Sequence, residues 1–265
     1  MSSTLVTLLR HAWARHGVVL LSTAAAIGAF EFVLTRMAPT PNEVGWMSTM
    51  LATLPSNIRT LLGNEVALSS SGFLALGYAH PFFMILLSAW IVRVTSGAVA
   101  GEIGRGTMDL LASRPVPRWQ FAAAGAAAAA LGVACILAVA WTATAIGLRL
   151  RPIDARAASF GPVILTAWLL FTAWGAVGLA ISATRRDGGN AIAWTTTALA
   201  VSFVVDYLAR LWAPISGLRP FSLFRYYEPQ AILASGFPVV SGVVLVATTT
   251  IAFVVAIVAL SRRDL

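Results

Sequence analysis

The residues best equipped for chemistry lie in a polar island at 101–118, GEIGRGTMDLLASRPVPR, between two long apolar runs. Glu102 and Arg105 are spaced i,i+3, and Arg105 and Asp109 i,i+4. At these spacings opposite charges meet on one helix face. Thr107 follows Gly106 and can cap a turn. Met108, Leu110, Leu111 and Ala112 supply apolar side chains, with Met108, Leu111 and Ala112 on one small face. Pro115 ends any helix here, because the residue before a proline is biased away from helical geometry. Pro117 suits the first turn of a following helix. A short amphipathic helix ringed by Arg and carboxylate can dock into a groove on a partner. A solvated loop whose charges only fix topology is equally compatible with these residues.

The other ionisable groups fall in or near apolar runs. Glu31, Arg93 and Arg210 lie close to span ends, where a long side chain can reach the interface. Asp206 and Arg210 are i,i+4 and can pair. His80-Pro81 interrupts the second apolar run. The proline frees a backbone carbonyl and kinks a helix, so His80, Pro81 and Asp206 are the candidates for gating or the substrate path. Cys135, the one cysteine, sits in an Ala-rich run and is expected as a small core residue. His11, His16 and His80 form no cluster with cysteine, so no metal site is expected.

These groups are positioned by a very apolar chain. Of 265 residues, 58% are hydrophobic and 11% charged, far less charge than a soluble domain would carry. Apolar runs of about 20 residues cross a bilayer as helices. Six are expected, at 17–34, 73–94, 121–148, 163–183, 190–208 and 239–260, forming one all-α transmembrane domain over 1–265. An amphipathic interfacial helix is expected at 3–16, from Leu5, Leu8, Leu9, Ala12, Trp13 and His16. The first run is expected to remain as a span rather than a cleaved leader, because no small-residue site follows it.

Six spans put both termini on one side. All 18 basic residues are Arg. Ten of them fall on the side of the termini and eight on the other, in longer segments. The positive-inside rule therefore favours cytoplasmic termini in the cell membrane. The net charge of +8 fits anionic headgroups better than nucleic acid, since no basic stripe is interleaved with aromatics. The absence of Lys also excludes a Walker A phosphate loop from this sequence, so ATP-driven work would need a separate ATPase chain.

Two segments on the other side are long. At 37–72, residues 46–51 and 58–62 look like short helices at the membrane surface. At 209–237, three prolines and a Tyr226-Tyr227 pair suit an interfacial or re-entrant segment. Gly125, Ala129, Gly132, Gly175 and Gly178 allow close helix approach, more readily within the subunit than across a dimer.

Three motifs carry a resemblance to the ABC-2 type transporter permeases, the membrane subunits of a type of ABC exporter. They are GEIGRGTMDLLASRPVPRWQF, LPSNIRTLLG followed by SSGF, and SLFRYYEPQAILASG. With the six spans, the similarity extends over nearly the whole chain. It implies that 101–118 is a coupling helix that inserts into an ATP-binding subunit. Glu102 and Arg105 would then position it, with Thr107 in the Gly-Thr signature. Met108, Leu110 and Leu111 would fill the apolar contact, Pro115 would close the helix, and Arg114 and Arg118 would face acidic partner groups or lipid phosphate. Arg185 and Arg186 in the 184–189 turn would form a smaller second contact. The resemblance further implies two permease copies as a homodimer, two ATP-binding subunits, membrane lipids as partners, and ATP with Mg on the partner rather than on this chain. Relatives often place two or three acidic residues before the Gly-Thr pair, where only Glu102 stands here.

An enzyme is not expected: the sequence holds no Gly-x-Ser-x-Gly, no His-Glu-x-x-His and no matched pair of intramembrane carboxylates. The alternative to an ATP-driven permease is an ATP-independent channel or secondary transporter, for which His80-Pro81 is the one sequence hint. The intramembrane Trp residues (Trp90, Trp141, Trp168, Trp174, Trp194) suit a hydrophobic substrate or an ordinary lipid-facing surface.

Overall fold

A computed structural model of the chain describes residues 2–40, 43–45, 53, 69–106, 117–151, 153 and 155–262. The expected short helices at 46–51 and 58–62 lie outside the described residues. So do Thr107, Met108, Asp109, Leu110, Leu111, Arg114 and Pro115.

The described chain is helical, with no strand among the described residues. Six stretches are long and apolar enough to cross a bilayer: Trp13–Met37, Ser70–Ala98, Arg118–Arg149, Ala157–Thr184, Gly188–Leu211 and Val239–Ser261. The helices are α1 (Ser2–Met37), α2 (Ser70–Ala79), α3 (Pro81–Ala98), α4 (Ala100–Gly104), α5 (Arg118–Arg149), α6 (Gly161–Thr184), α7 (Gly188–Leu211), α8 (Pro229–Ser235) and α9 (Val239–Ser261). The start of α1, the end of α9, α4 and the 185–187 turn lie at one end of the bundle, called here the Glu102 end.

The expected helix at 3–16 is the first part of α1, one continuous helix of 36 residues. Nothing stops it before Met37: it contains no proline, and a Cβ on Gly17 would meet nothing within 4 Å. At about 1.5 Å per residue, such a rod outruns a hydrocarbon core of about 30 Å.

The second span divides at His80. His80 is extended (φ −64°, ψ 140°), and Pro81 starts α3. The His80 imidazole Nδ1 accepts the Phe82 N–H at 3.2 Å, so this histidine caps the new helix. Beyond 94 the helix continues through Thr95, Ser96 and Gly97 to Ala98, because no proline stands there.

Small residues let the central spans close up. A Cβ on Gly132 would lie 2.1 Å from the Trp90 ring, and one on Gly178 2.5 Å from Thr95 Oγ1. Gly125 meets Ala98, while Gly175 meets Ala129 and Ile91. The glycine stripes thus serve packing within the chain. The Ala-rich start of α5 makes room for two indoles. Trp90 Nε1 donates to the Ala129 carbonyl (3.2 Å) and Trp168 Nε1 to the Ala130 carbonyl (3.0 Å). The core centres on Tyr78, Phe83, Ile91, Ile136, Leu137, Phe160, Leu170 and Phe171. Cys135, expected in the core, is exposed on α5, since the buried stripe there runs through Val133, Ile136 and Leu137.

Glu31 corrects another expectation. It does not reach for the interface but is fully buried, and neither carboxylate oxygen has a hydrogen-bond partner. The helix extends six residues past it to Met37, and the missing side chain of Gly77 leaves the space it occupies. A Cβ on Gly77 would stand 3.1 Å from Glu31 Oε2.

The segment after α7 folds back into the bundle. It forms 3-10 turns over Ala213–Phe221 and Leu223–Tyr226, then α8. Ser222 Oγ donates to the Ser202 carbonyl at 2.7 Å. Ser202 lies nine residues before Leu211, so the return reaches about 13 Å back along α7. There Phe224 packs edge-on against Phe203 (5.5 Å) and beside Trp174 (5.9 Å). Tyr227 Oη donates to the Tyr78 carbonyl (3.2 Å), and Tyr78 Oη meets Thr144 Oγ1 at 2.7 Å.

Candidate functional site

At the Glu102 end, α4 is a single short helix wedged against the turn between α6 and α7. Ala100 N–H donates to Ser182 Oγ at 3.1 Å, which fixes its start. Gly106 ends the turn that follows it with φ +68°, a conformation that favours glycine. The contact with the turn is backbone against backbone. A Cβ on Gly188 would lie 3.3 Å from Gly101 Cα, and one on Gly104 3.4 Å from Asp187 Cα. Asp187 caps α7 by accepting the Asn190 N–H at 3.0 Å, and this bond holds its carboxyl below the ordinary value of 3.8.

Glu102 is the hub of this end. Its Oε1 accepts from Arg105 Nη2 at 2.7 Å, the anticipated i,i+3 pair, and also from Arg15 Nη1 of α1. The second pairing joins elements 87 residues apart in sequence and is invisible to helical periodicity. Arg118 opens α5 and donates to the Leu260 carbonyl at 3.3 Å, which ties the last helix to the same end. The Arg185 guanidinium lies over the Trp194 ring at 4.8 Å. Arg186 is exposed in the turn.

Above this end a cleft of about 760 Å³ opens between α3 and α7. Its mouth holds Arg15, His16, Arg93 and Arg105, and its walls are apolar, including Met84, Val92, Leu199 and Phe203. Pro81 and Phe224 bound its far end. From Pro81 to Gly97 the cleft follows 16 helical steps, about 24 Å. No Asp or Glu lines it among the described residues. Of the sequence candidates, Pro81 and Arg105 line this cleft. His80 sits at the helix break, its ring tilted against Phe30 at 5.1 Å.

Asp206 has a different setting. Its carboxylate accepts from Arg210 Nε (2.9 Å), the anticipated pair, and from Arg219 Nε (3.1 Å). Glu228 closes the ring by bonding Arg219 and approaching Arg210 at 3.4 Å. Burial opposes the Arg219 charge, but the Asp206 hydrogen bond and the Glu228 charge outweigh it and raise its pKa. Two carboxylates and two guanidiniums thus clamp the re-entrant segment to α7 at the far end of the bundle.

Sequence reasoning missed Arg15 and His16 at the mouth, the place of Arg93 there, Phe224, and the Arg219–Glu228 half of the clamp. Arg93 had a usable signal: no glycine or proline stands between it and Gly97, so the helix had to continue beyond the hydropathy boundary. For Arg219 and Glu228 there was none, because their partner lies across a loop.

The fold and its six apolar spans define a multi-pass helical membrane protein. The chain matches no protein-family model and no curated protein.

Proposed function

We propose that this chain is the membrane-spanning permease subunit of an ATP-driven transporter in the cell membrane, working as an exporter with both termini in the cytoplasm. Two copies would associate as a homodimer, each contributing its own α3–α7 cleft to transport, and two ATP-binding subunits carrying ATP and Mg would dock at the Glu102 end. The observation that carries this reading is the wiring of that end. Helix α4 abuts the start of α7 backbone to backbone, and Glu102 ties it to α1. A push on the 101–118 segment would therefore be felt by two of the helices that border the cleft. Close packing transmits such a displacement rather than absorbing it. The three sequence motifs of the ABC-2 permeases support the same assignment, and the cleft between α3 and α7 supplies a path bounded by Phe224.

The test is affinity purification of the tagged chain from its native membranes. A P-loop ATPase is expected with the unaltered chain and is expected to be lost with Glu102→Arg combined with Leu111→Asp. Leu111→Asp alone, which leaves the Arg15–Glu102 pair intact, controls for folding and should lose most of it. Retention of the ATPase by both variants would overturn the docking assignment, and the absence of any ATPase with the unaltered chain would overturn the reading itself.

A further inference from the structure

We propose that the α3–α7 cleft binds an anionic phospholipid, with the phosphate headgroup at Arg93 and an acyl chain lying along the apolar wall. The inference deepens the reading of the cleft as the transport path and rests on it for its role in transport.

The charge at the mouth is one-sided. Arg15, Arg93 and Arg105 line it, and among lining residues no carboxylate answers them. Glu102 engages Arg15 and Arg105 from behind. Arg93 is exposed and has no ion-pair partner among the described residues. A planar guanidinium without a partner at the edge of an apolar channel is suited to phosphate, which it can meet with two parallel N–H bonds. His16 lines the mouth beside them and is itself largely buried.

The remainder of the cleft suits an acyl chain. Its volume of about 760 Å³ is within the ordinary range for ligand sites, and its long axis runs parallel to the helices. A lipid source follows from the side walls. Ile85, Ile192 and Val204 line the cleft and are also among the exposed large side chains, at 65%, 47% and 48% exposure. The cleft therefore opens sideways through residues that face hydrocarbon, so a chain can enter from the bilayer while its headgroup stays level with the Arg cluster.

Native mass spectrometry of the purified full-length chain, without nucleotide or ATPase, tests this with dioleoyl phosphatidylglycerol and dioleoyl phosphatidylcholine as probes. The anionic lipid is expected to bind about tenfold more tightly, a factor worth about 1.4 kcal/mol. Arg93→Gln should erase that preference, Arg93→Lys should keep much of it, and Ala200→Trp, which fills the apolar part, should weaken both lipids. Equal binding of the two lipids, or an unchanged preference in Arg93→Gln, would overturn the proposal. Tighter binding of soluble dodecyl phosphate that phosphatidylglycerol cannot displace would overturn the bilayer source. Because no ATPase is present, failure here leaves the permease reading standing, and loss of the ATPase partner leaves this result standing.

Discussion

Arg219 bonds both acids of the clamp, as Arg210 also does with a looser approach to Glu228. Removing Arg219 leaves Asp206, almost buried, with Arg210 alone. Hydrogen bonds to charged groups contribute about 1.5–3 kcal/mol, and Arg219 is partly exposed. Arg219→Ala is therefore expected to lower stability by about 2 kcal/mol and to loosen the 213–235 segment, read as faster hydrogen exchange there than in α6. Asp187 gives a pH signature. Its pKa is depressed when folded, so its capping contribution is complete above its ordinary value of 3.8 and is lost as pH falls through the depressed one. Asp187→Asn keeps a cap but should remove that acid dependence from the thermal midpoint, whereas Asp187→Ala should lower the midpoint at neutral pH as well. At this scale the sequence was informative wherever partners lie within one helical turn. Glu102–Arg105 and Asp206–Arg210 follow from spacing alone. Arg15–Glu102 depends on which helices become neighbours, and Arg219–Glu228 on how the 213–235 segment folds back on itself, which no local pattern encodes.

At the scale of elements, the spans follow from hydropathy and their ends from breakers. The split at His80-Pro81 was legible because proline has one fixed consequence for a helix. The length of α1 was not, because amphipathic spacing at 3–16 looks the same whether that stretch lies apart or continues into the span. The re-entrant return after α7 was legible as irregular, through its prolines, but not in its depth, which is set by Ser222 finding Ser202. The glycine stripes make a sharp prediction about helix approach. Gly132→Ala drives a methyl into the Trp90 ring and is expected to destabilise by about 1–3 kcal/mol, as overpacked cores do. Gly17→Ala meets open space and should be neutral or stabilising by up to about 1 kcal/mol. Thermal unfolding of the two variants in one detergent compares them directly, and equal effects would contradict the packing assigned to α3 and α5.

At the scale of the whole molecule, two polar ends flank an apolar middle, and the α3–α7 cleft runs between them. The Glu102 end holds the wiring to α1 and α7, while the far end holds Phe224 and the clamp. An ATP-driven permease needs these ends to communicate, with the cleft more open to one side in one state than in the other. That claim can be measured with a single reporter. In a Cys135→Ser background, Ser88→Cys places one thiol on the cleft wall with little change in size. Its rate of reaction with a water-soluble maleimide is followed in membranes that contain the proposed partner ATPase, at rest and with ATP plus vanadate. The rate is expected to change several-fold between the two conditions and to stop responding when Glu102→Arg and Leu111→Asp are added. An unchanged rate while the ATPase hydrolyses ATP would contradict the coupling of the Glu102 end to the cleft.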